Sequence, residues 1–146
     1  MTEKPGSIKP SDTSILIVDD NPQYTQLLKK ILGLGFGYND ITSVDSPQKA
    51  LQLIEESPER FKMLFVDYRF PEVVNGGDLL LKLKELDLMK EKVAFLITSE
   101  PTVDNQRQAL RAGAQGVVAK PFARTSIQQQ LDKVERSLQM DSKDQF

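Results

Sequence analysis

Two features of this 146-residue chain predict an α/β fold with a doubly wound five-stranded parallel sheet. The first is a set of short apolar runs, each closed by a polar residue: Ile15-Leu16-Ile17-Val18 before Asp19-Asp20, Met63-Leu64-Phe65-Val66 before Asp67, Val93 to Ile97 before Thr98, and Gly116 to Ala119 before Lys120. Runs this short and this apolar read as strands buried on both faces. The second is the regular alternation of these runs with segments of helical period, which implies right-handed crossovers and helices on both faces of the sheet.

The elements follow in order. Residues 1–13, rich in Pro, Gly, Ser and charge, read as a mobile leader. The first strand, near Ser14 to Asp19, runs into Asn21-Pro22, an N-cap residue followed by proline at the first helical position. Tyr24, Leu27, Leu28, Ile31 and Leu32 then recur at helical spacing, and Gly33, Gly35 and Gly37 end that helix. Ile41-Thr42-Ser43-Val44 reads as a weak strand, and Ser46-Pro47 opens a helix carrying Ala50, Leu51, Leu53 and Ile54. After the strand ending at Asp67 comes a loop with Pro71, Gly76 and Gly77, then a helix through Leu79, Leu80, Leu83 and Leu86. The strand ending at Thr98 leads through Pro101 to a helix that Gly113 caps. The last strand ends at Lys120-Pro121, and a final helix runs from about Arg124 to Met140, with the stripe Ile127, Leu131, Val134 and Leu138 as its core face. Residues 14–140 form one domain, and residues 141–146 read as a tail.

Composition narrows the function. A net charge of −2 gives no general attraction to nucleic acid or to an anionic membrane. No apolar stretch approaches the roughly 20 residues that span a bilayer, so no membrane insertion is expected. The chain has no cysteine, which excludes thiol catalysis and fits a cytoplasmic location. It has no histidine either, so it carries no phosphohistidine, no Ser-His-Asp triad and no histidine-bound zinc.

In an open α/β sheet the ligand crevice lies outside the carboxyl ends of the strands. Strand order 2-1-3-4-5 puts the first and third strands side by side there, bringing Asp19, Asp20 and Asp67 to one place, with Thr98 and Lys120 on the same rim. Carboxylates so crowded repel one another unless a cation compensates. A hard divalent ion such as Mg²⁺, usually held by carboxylates together with phosphate oxygens, suits them. The rim is therefore expected to handle a phosphoryl group.

These motifs, in this order, resemble the receiver domain of two-component response regulators, whose fold is flavodoxin-like. The resemblance rests on Val18-Asp19-Asp20, Asp67 with Pro71, Thr98-Ser99, and Gly113-Ala114-Gln115-Gly116 leading to Lys120-Pro121-Phe122. It covers Ser14 to Met140. It implies that Asp67 accepts a phosphoryl group from a phosphohistidine on a sensor histidine kinase or histidine phosphotransfer protein. It further implies that Asp20 and Asp67 ligate Mg²⁺ directly, with Asp19 acting through water and the Arg69 backbone carbonyl adding an oxygen. Lys120 and Thr98 then bind phosphoryl oxygens, and the Lys120-Pro121 peptide is cis. Phosphorylation remodels a face made of the fourth helix, the last strand and the fifth helix, which docks a downstream protein or a second copy in a homodimer. Such a module catalyses only its own phosphotransfer and autodephosphorylation.

Some positions depart from the family pattern. Val117 stands three residues before the lysine, where receivers usually carry a switching aromatic. The loop from Pro71 to Gly76-Gly77 is one residue longer than common. Arg69 and Glu100, two residues beyond Asp67 and Thr98, are expected to form an ion pair across the mouth of the site that hinders the hydrolytic water. Blander readings stand beside these: Asp20 as a favourable charge at a helix N-terminus, Arg107 and Arg111 as a solvated face. Two alternatives to a phosphoacceptor are a constitutive pseudo-receiver, suggested by Val117, and an aspartyl-phosphate phosphohydrolase. The hydrolase normally needs a second carboxylate where this chain has Arg69. A nucleotide-binding flavodoxin relative would need a Ser/Thr/Gly-rich phosphate loop after the first strand, and none follows.

Overall fold

The structure, a computed structural model, describes residues 5–70 and 75–143. Five parallel strands lie in the order β2-β1-β3-β4-β5: β1 Ser14–Val18, β2 Asp40–Val44, β3 Met63–Asp67, β4 Val93–Thr98 and β5 Gly116–Ala119. Five helices connect and flank them: α1 Pro22–Lys30, α2 Pro47–Glu56, α3 Gly76–Glu85, α4 Val103–Arg111 and α5 Arg124–Lys143. The expected order and the two-sided cover are what the molecule has.

Period-two alternation sorts the strand side chains into two layers. Ile15, Ile17, Met63, Phe65, Val93, Phe95, Ile97 and Val118 face α1 and α5, where Leu28, Leu32, Ile127, Leu131 and Val134 complete the core. Leu16, Val18, Leu64, Val66, Ala94 and Leu96 face α2, α3 and α4, meeting Ala50, Ile54, Leu79, Leu80, Leu83 and Ala109. The stripe on α5 is thus core packing, with Leu138 at its partly buried end. Phe65 and Phe95 stack on adjacent central strands at a centroid distance of 5.2 Å.

Two helix starts, at Asn21 and Ser46, follow the sequence reading, and two more are capped by residues it did not single out. Asn21 accepts from the backbone of Gln23 and Tyr24, Ser46 from Lys49, and Thr102 from Asn105. Asn75 and Asp78 form a reciprocal capping box at the start of α3. Residues 71–74, including Pro71 and most of the loop expected to be one residue longer than common, lie outside the described residues.

Three boundaries carry structure that was not read from the sequence. In the described part of the segment read as a mobile leader, Pro5, Ile8 and Thr13 are buried and Gly6, Lys9, Ser11 and Asp12 are exposed. Ile8 is buried in the α1–α5 layer, and the Tyr38 hydroxyl donates to its carbonyl at 2.7 Å. Burial, and then the charge of Glu135, push the Tyr38 hydroxyl up to about 12. Ile8, with its hydrogen-bonded carbonyl, is the point where this segment meets the core. The first helix ends at the expected glycines, but through a π-helical turn over Ile31–Gly35, and Gly37 leaves it at a φ of 84°. Arg124 ties this turn to α5, its guanidinium donating to the Gly35 carbonyl at 3.2 Å. Finally, α5 continues past Met140 to Lys143, into the segment read as tail.

Candidate functional site

The strand register builds the site. Val18 pairs with Val66, so Asp19 leaves β1 beside Asp67 at the end of β3. Asp67 pairs with Ile97, and Thr98 with Ala119, so Thr98 and Lys120 emerge one step further along the same rim. Ladder hydrogen bonds continue past the strands, from Asp19 N–H to the Val44 carbonyl, Tyr68 N–H to Ile97 and Lys120 N–H to Thr98. Each functional side chain therefore hangs from paired backbone.

Asp19, Asp20 and Asp67 each offer a carboxylate oxygen, all within 4.8 Å of one another. Asp19 and Asp67 are buried and Asp20 is exposed. Lys120, its side chain only 8% exposed, places Nζ 3.0 Å from Asp19 Oδ2 and 3.3 Å from Asp67 Oδ1. The peptide that follows it is cis, as expected. Asp19 Oδ1 is committed to the Asn21 backbone N–H at 2.9 Å. Asp19 Oδ2, although close to the ammonium, accepts no hydrogen bond. A fully buried acceptor is thus left with only charge attraction.

Burial, and then the charge of Asp19, push the Asp67 carboxyl up to about 6; Lys120 opposes the shift and Asp20 adds a little to it. One ammonium does not compensate three carboxylates. Crowded oxygens, an orphaned buried acceptor and a carboxyl driven toward protonation together fit a hard divalent cation. The donor set is all oxygen, which suits magnesium better than softer metals.

Thr98 is buried at the end of β4, and its hydroxyl accepts from the Glu100 N–H at 3.0 Å. Arg69 and Glu100 form the expected pair, Nη2 to Oε2 at 2.8 Å, with both side chains more than half exposed. Val117 is partly buried against the α2–α4 layer. Arg107 and Arg111 are exposed along the groove between α3 and α4.

Two connections escaped the sequence reading. The Tyr68 hydroxyl donates to Gln108 Oε1 on α4 at 2.7 Å, while its carbonyl accepts from Gly76 N–H at the start of α3. The residue after Asp67 is thereby bonded to β4, α3 and α4. Gly76 permits this approach, since a Cβ there would overlap the Asp67 carbonyl oxygen. The second connection is Tyr24, read only as part of a core stripe, whose ring lies under Lys120 Nζ at 4.3 Å from the centroid. Its position four residues after Asp20, at the start of the helix leaving the rim, was the available signal.

With this geometry in place, comparison with known proteins is specific. The response regulator receiver domain profile matches residues 15–132. Chemotaxis protein CheY-3 of Vibrio cholerae is 28% identical over 120 residues, covering 82% of this chain and 89% of that protein. Chemotaxis protein CheY1 of Helicobacter pylori is likewise 28% identical, covering 82% of this chain and 94% of that one. Among solved structures, a putative response regulator from Chloroflexus aurantiacus superposes with a TM-score of 0.71 at 26% identity, covering 86% of this chain and 97% of its own. The Vibrio cholerae chemotaxis protein CheY4 shares the fold with a TM-score of 0.72 at 22% identity, covering 84% and 98%. Among the described residues no helix is long and apolar enough to cross a membrane. A five-stranded sheet in this order, an acidic rim with a buried lysine, and a profile match over most of the length agree: this chain belongs to the response regulator receiver domain family.

Proposed function

We propose that the chain is a phosphoacceptor switch in two-component signalling, with Asp67 as the residue phosphorylated. The observation that carries this reading is the Lys120 ammonium set 3.0 Å from Asp19 and 3.3 Å from Asp67 inside the carboxylate cluster. A phosphohistidine on a histidine kinase or phosphotransfer protein is the natural donor, because this chain has no histidine of its own.

An Asp67 carboxylate oxygen attacks phosphorus, forming the acyl P–O bond. The P–N bond to the donor imidazole breaks, its electron pair stays on the imidazole nitrogen, and that nitrogen takes a proton. Asp20 and Asp67, with Asp19 through water and the Arg69 carbonyl, would hold Mg²⁺. Bound there, the ion supplies positive charge to the phosphoryl oxygens. Lys120 neutralises a further oxygen and Thr98 donates its hydroxyl to another; transfer of this kind depends on positioning and charge neutralisation.

The output follows from the same connections. Drawing the Thr98 hydroxyl toward a phosphoryl oxygen frees the Glu100 N–H it now binds. Glu100 is linked to α4 through Asn105 Nδ2, which donates to its carbonyl at 2.7 Å. Tyr68 reaches α4 through Gln108. Phosphorylation then biases α4 and the α4–β5–α5 face on which a protein target, or a second copy, docks. With Val117 in β5, α4 carries more of this signal than a β5 aromatic would. The Arg69–Glu100 pair stands over the mouth and slows entry of the hydrolytic water.

The test is phosphorylation with a small phosphodonor and Mg²⁺. The expected result is one hydroxylamine-labile phosphoryl group per chain, absent in Asp67→Ala and without added Mg²⁺. Failure of the wild-type chain to take label, with no measurable Mg²⁺ affinity, would establish the pseudo-receiver alternative instead. Steady turnover of small phosphoesters would establish the phosphohydrolase.

A further inference from the structure

The reaction outlined above makes no use of Tyr24, although its ring centroid lies 4.3 Å from the reacting ammonium. That ring is set from both sides. The Tyr24 backbone N–H donates to the Asn21 cap at 3.1 Å, fixing it on the first turn of α1 directly after the acidic pair. Its ring meets Phe122 edge-on, with centroids 5.8 Å apart and planes at 87°. Phe122 follows Lys120 by two residues and is buried, so one aromatic pair joins the α1 start to the loop that carries the lysine.

We infer that Tyr24 is a positioning residue for phosphoryl transfer, holding the Lys120 ammonium over its π face so that an N–H remains free for a phosphoryl oxygen. The inference rests on the phosphoacceptor reading. An ammonium has three N–H donors on a flexible four-carbon stem. Asp19 and Asp67 attract it at 3.0 and 3.3 Å. An oxygen acceptor in place of the ring would bind another donor and fix its direction. A ring face attracts the same charge through its quadrupole, largely without regard to which N–H points where. When phosphorylation turns the Asp67 carboxylate into an acyl phosphate, whose negative charge lies on the phosphoryl oxygens, the ammonium can turn to follow that charge without leaving the site. Phe122 keeps the ring in place by contact with its edge. A leucine at residue 24 would fill the same core position without offering a charged face, so core packing and lysine positioning separate on substitution.

The experiment compares wild type, Tyr24→Phe and Tyr24→Leu by two readouts. The first is the phosphorylation rate with phosphoramidate at saturating Mg²⁺, resolved into the maximal rate and the half-saturating donor concentration. Tyr24→Phe keeps the ring and is expected within about twofold of wild type. Tyr24→Leu is expected to lower the maximal rate about three- to tenfold, the range of a partly buried cation–π contact. Its half-saturating donor concentration and its Mg²⁺ affinity are expected to stay within about twofold of wild type, on the same reasoning. The second readout needs no phosphorylation: the Lys120 ε-methylene protons are expected upfield in wild type and Tyr24→Phe from the ring current, and at ordinary shifts in Tyr24→Leu. A labelled wild type with Tyr24→Leu equally fast overturns the role of Tyr24 alone. Equal loss in both variants, or loss of Mg²⁺ affinity in Tyr24→Leu, overturns it as well, assigning the effect to the hydroxyl or to packing. A wild type that takes no phosphoryl group overturns the phosphoacceptor reading and this inference together.

Discussion

Two lysines are drawn into this fold at opposite ends of the sheet, and their surroundings give them different work. Lys120 follows β5 at the carboxyl rim; Lys92 precedes β4 at the amino rim and is 3% exposed. Lys92 Nζ donates to the Pro58 backbone carbonyl, a neutral acceptor that asks little more of it. Burial lowers the Lys92 ammonium below the usual lysine range, with Glu91 and Glu59 offsetting part of the shift. Lys120 instead faces two carboxylates and a ring, and one of those carboxylates is itself driven toward protonation. Burial of a lysine therefore marks nothing by itself. At the amino rim Lys92 meets a single neutral acceptor. At the carboxyl rim the polar groups are left in electrostatic conflict, which a divalent cation would relieve. Stability is expected to be concentrated at the first and chemistry at the second.

The sharpest way to break this contrast is to truncate each lysine and measure phosphorylation. Lys120→Met is expected to slow transfer by about 10²-fold or more, the scale of removing one preorganised partner of a reacting oxygen. Lys92→Met is expected to leave the rate within about twofold, because nothing at the amino rim touches the reacting atoms. Comparable losses in both would dissolve the distinction.

Equilibrium urea unfolding without metal should show the reverse ordering. Lys92→Met leaves the Pro58 carbonyl without its donor and is expected to cost about 1–3 kcal/mol. Asp67→Asn removes one of the three repelling carboxylates and is expected to stabilise the metal-free chain by about 1 kcal/mol. An Asp67→Asn chain less stable than wild type would show that the acidic cluster is not under strain.

The pH dependence sharpens the same point. In the folded chain the Asp67 carboxyl sits at about 6, above its value in the unfolded chain. Between roughly pH 4 and pH 6 the folded state holds a proton that the unfolded state has released. Metal-free stability is therefore expected to fall across that window as pH rises, then to level off. Mg²⁺ binding requires the ionised carboxylate, so the gain in melting temperature on adding Mg²⁺ should grow from pH 5 to pH 7. A gain independent of pH would separate Asp67 from the metal.

The smallest effect belongs to the Arg69–Glu100 pair. Both partners are well exposed, and such pairs contribute about 0–1 kcal/mol. Arg69→Ala and Glu100→Ala are expected to speed dephosphorylation by no more than about fivefold, a factor within that range. Unchanged rates in both variants would reduce the pair to a surface contact.

Several of these residues could be named before any coordinates, because the relevant signals are local. Apolar runs of four or five residues specify buried strands, and in a parallel sheet the residue that closes each run must emerge at the carboxyl edge. Asp19, Asp67, Thr98 and Lys120 each close such a run, and Asn21 and Ser46 each announce a helix start by side-chain chemistry one turn long. Pairs distant in the chain carry no such signal. Arg69 and Glu100 could be matched only because each lies two residues beyond a rim residue. Tyr68 and Gln108 lie 40 residues apart, and Tyr38 meets the Ile8 carbonyl across 30. Which of them touch depends on strand register and helix rotation, properties of the assembled layers.

The amino-acid order alone, through hydrophobic period and strand-end chemistry, determined the alternating architecture, the acidic rim and its lysine. Only the tertiary structure decided that Ile8 is buried against α1 and α5, that Tyr24 lies under Lys120, and that Tyr68 reaches α4. The reason is physical: periodicity and capping act over one or two turns of chain, whereas these contacts form only when separate elements dock, and docking is set by the summed packing of every layer.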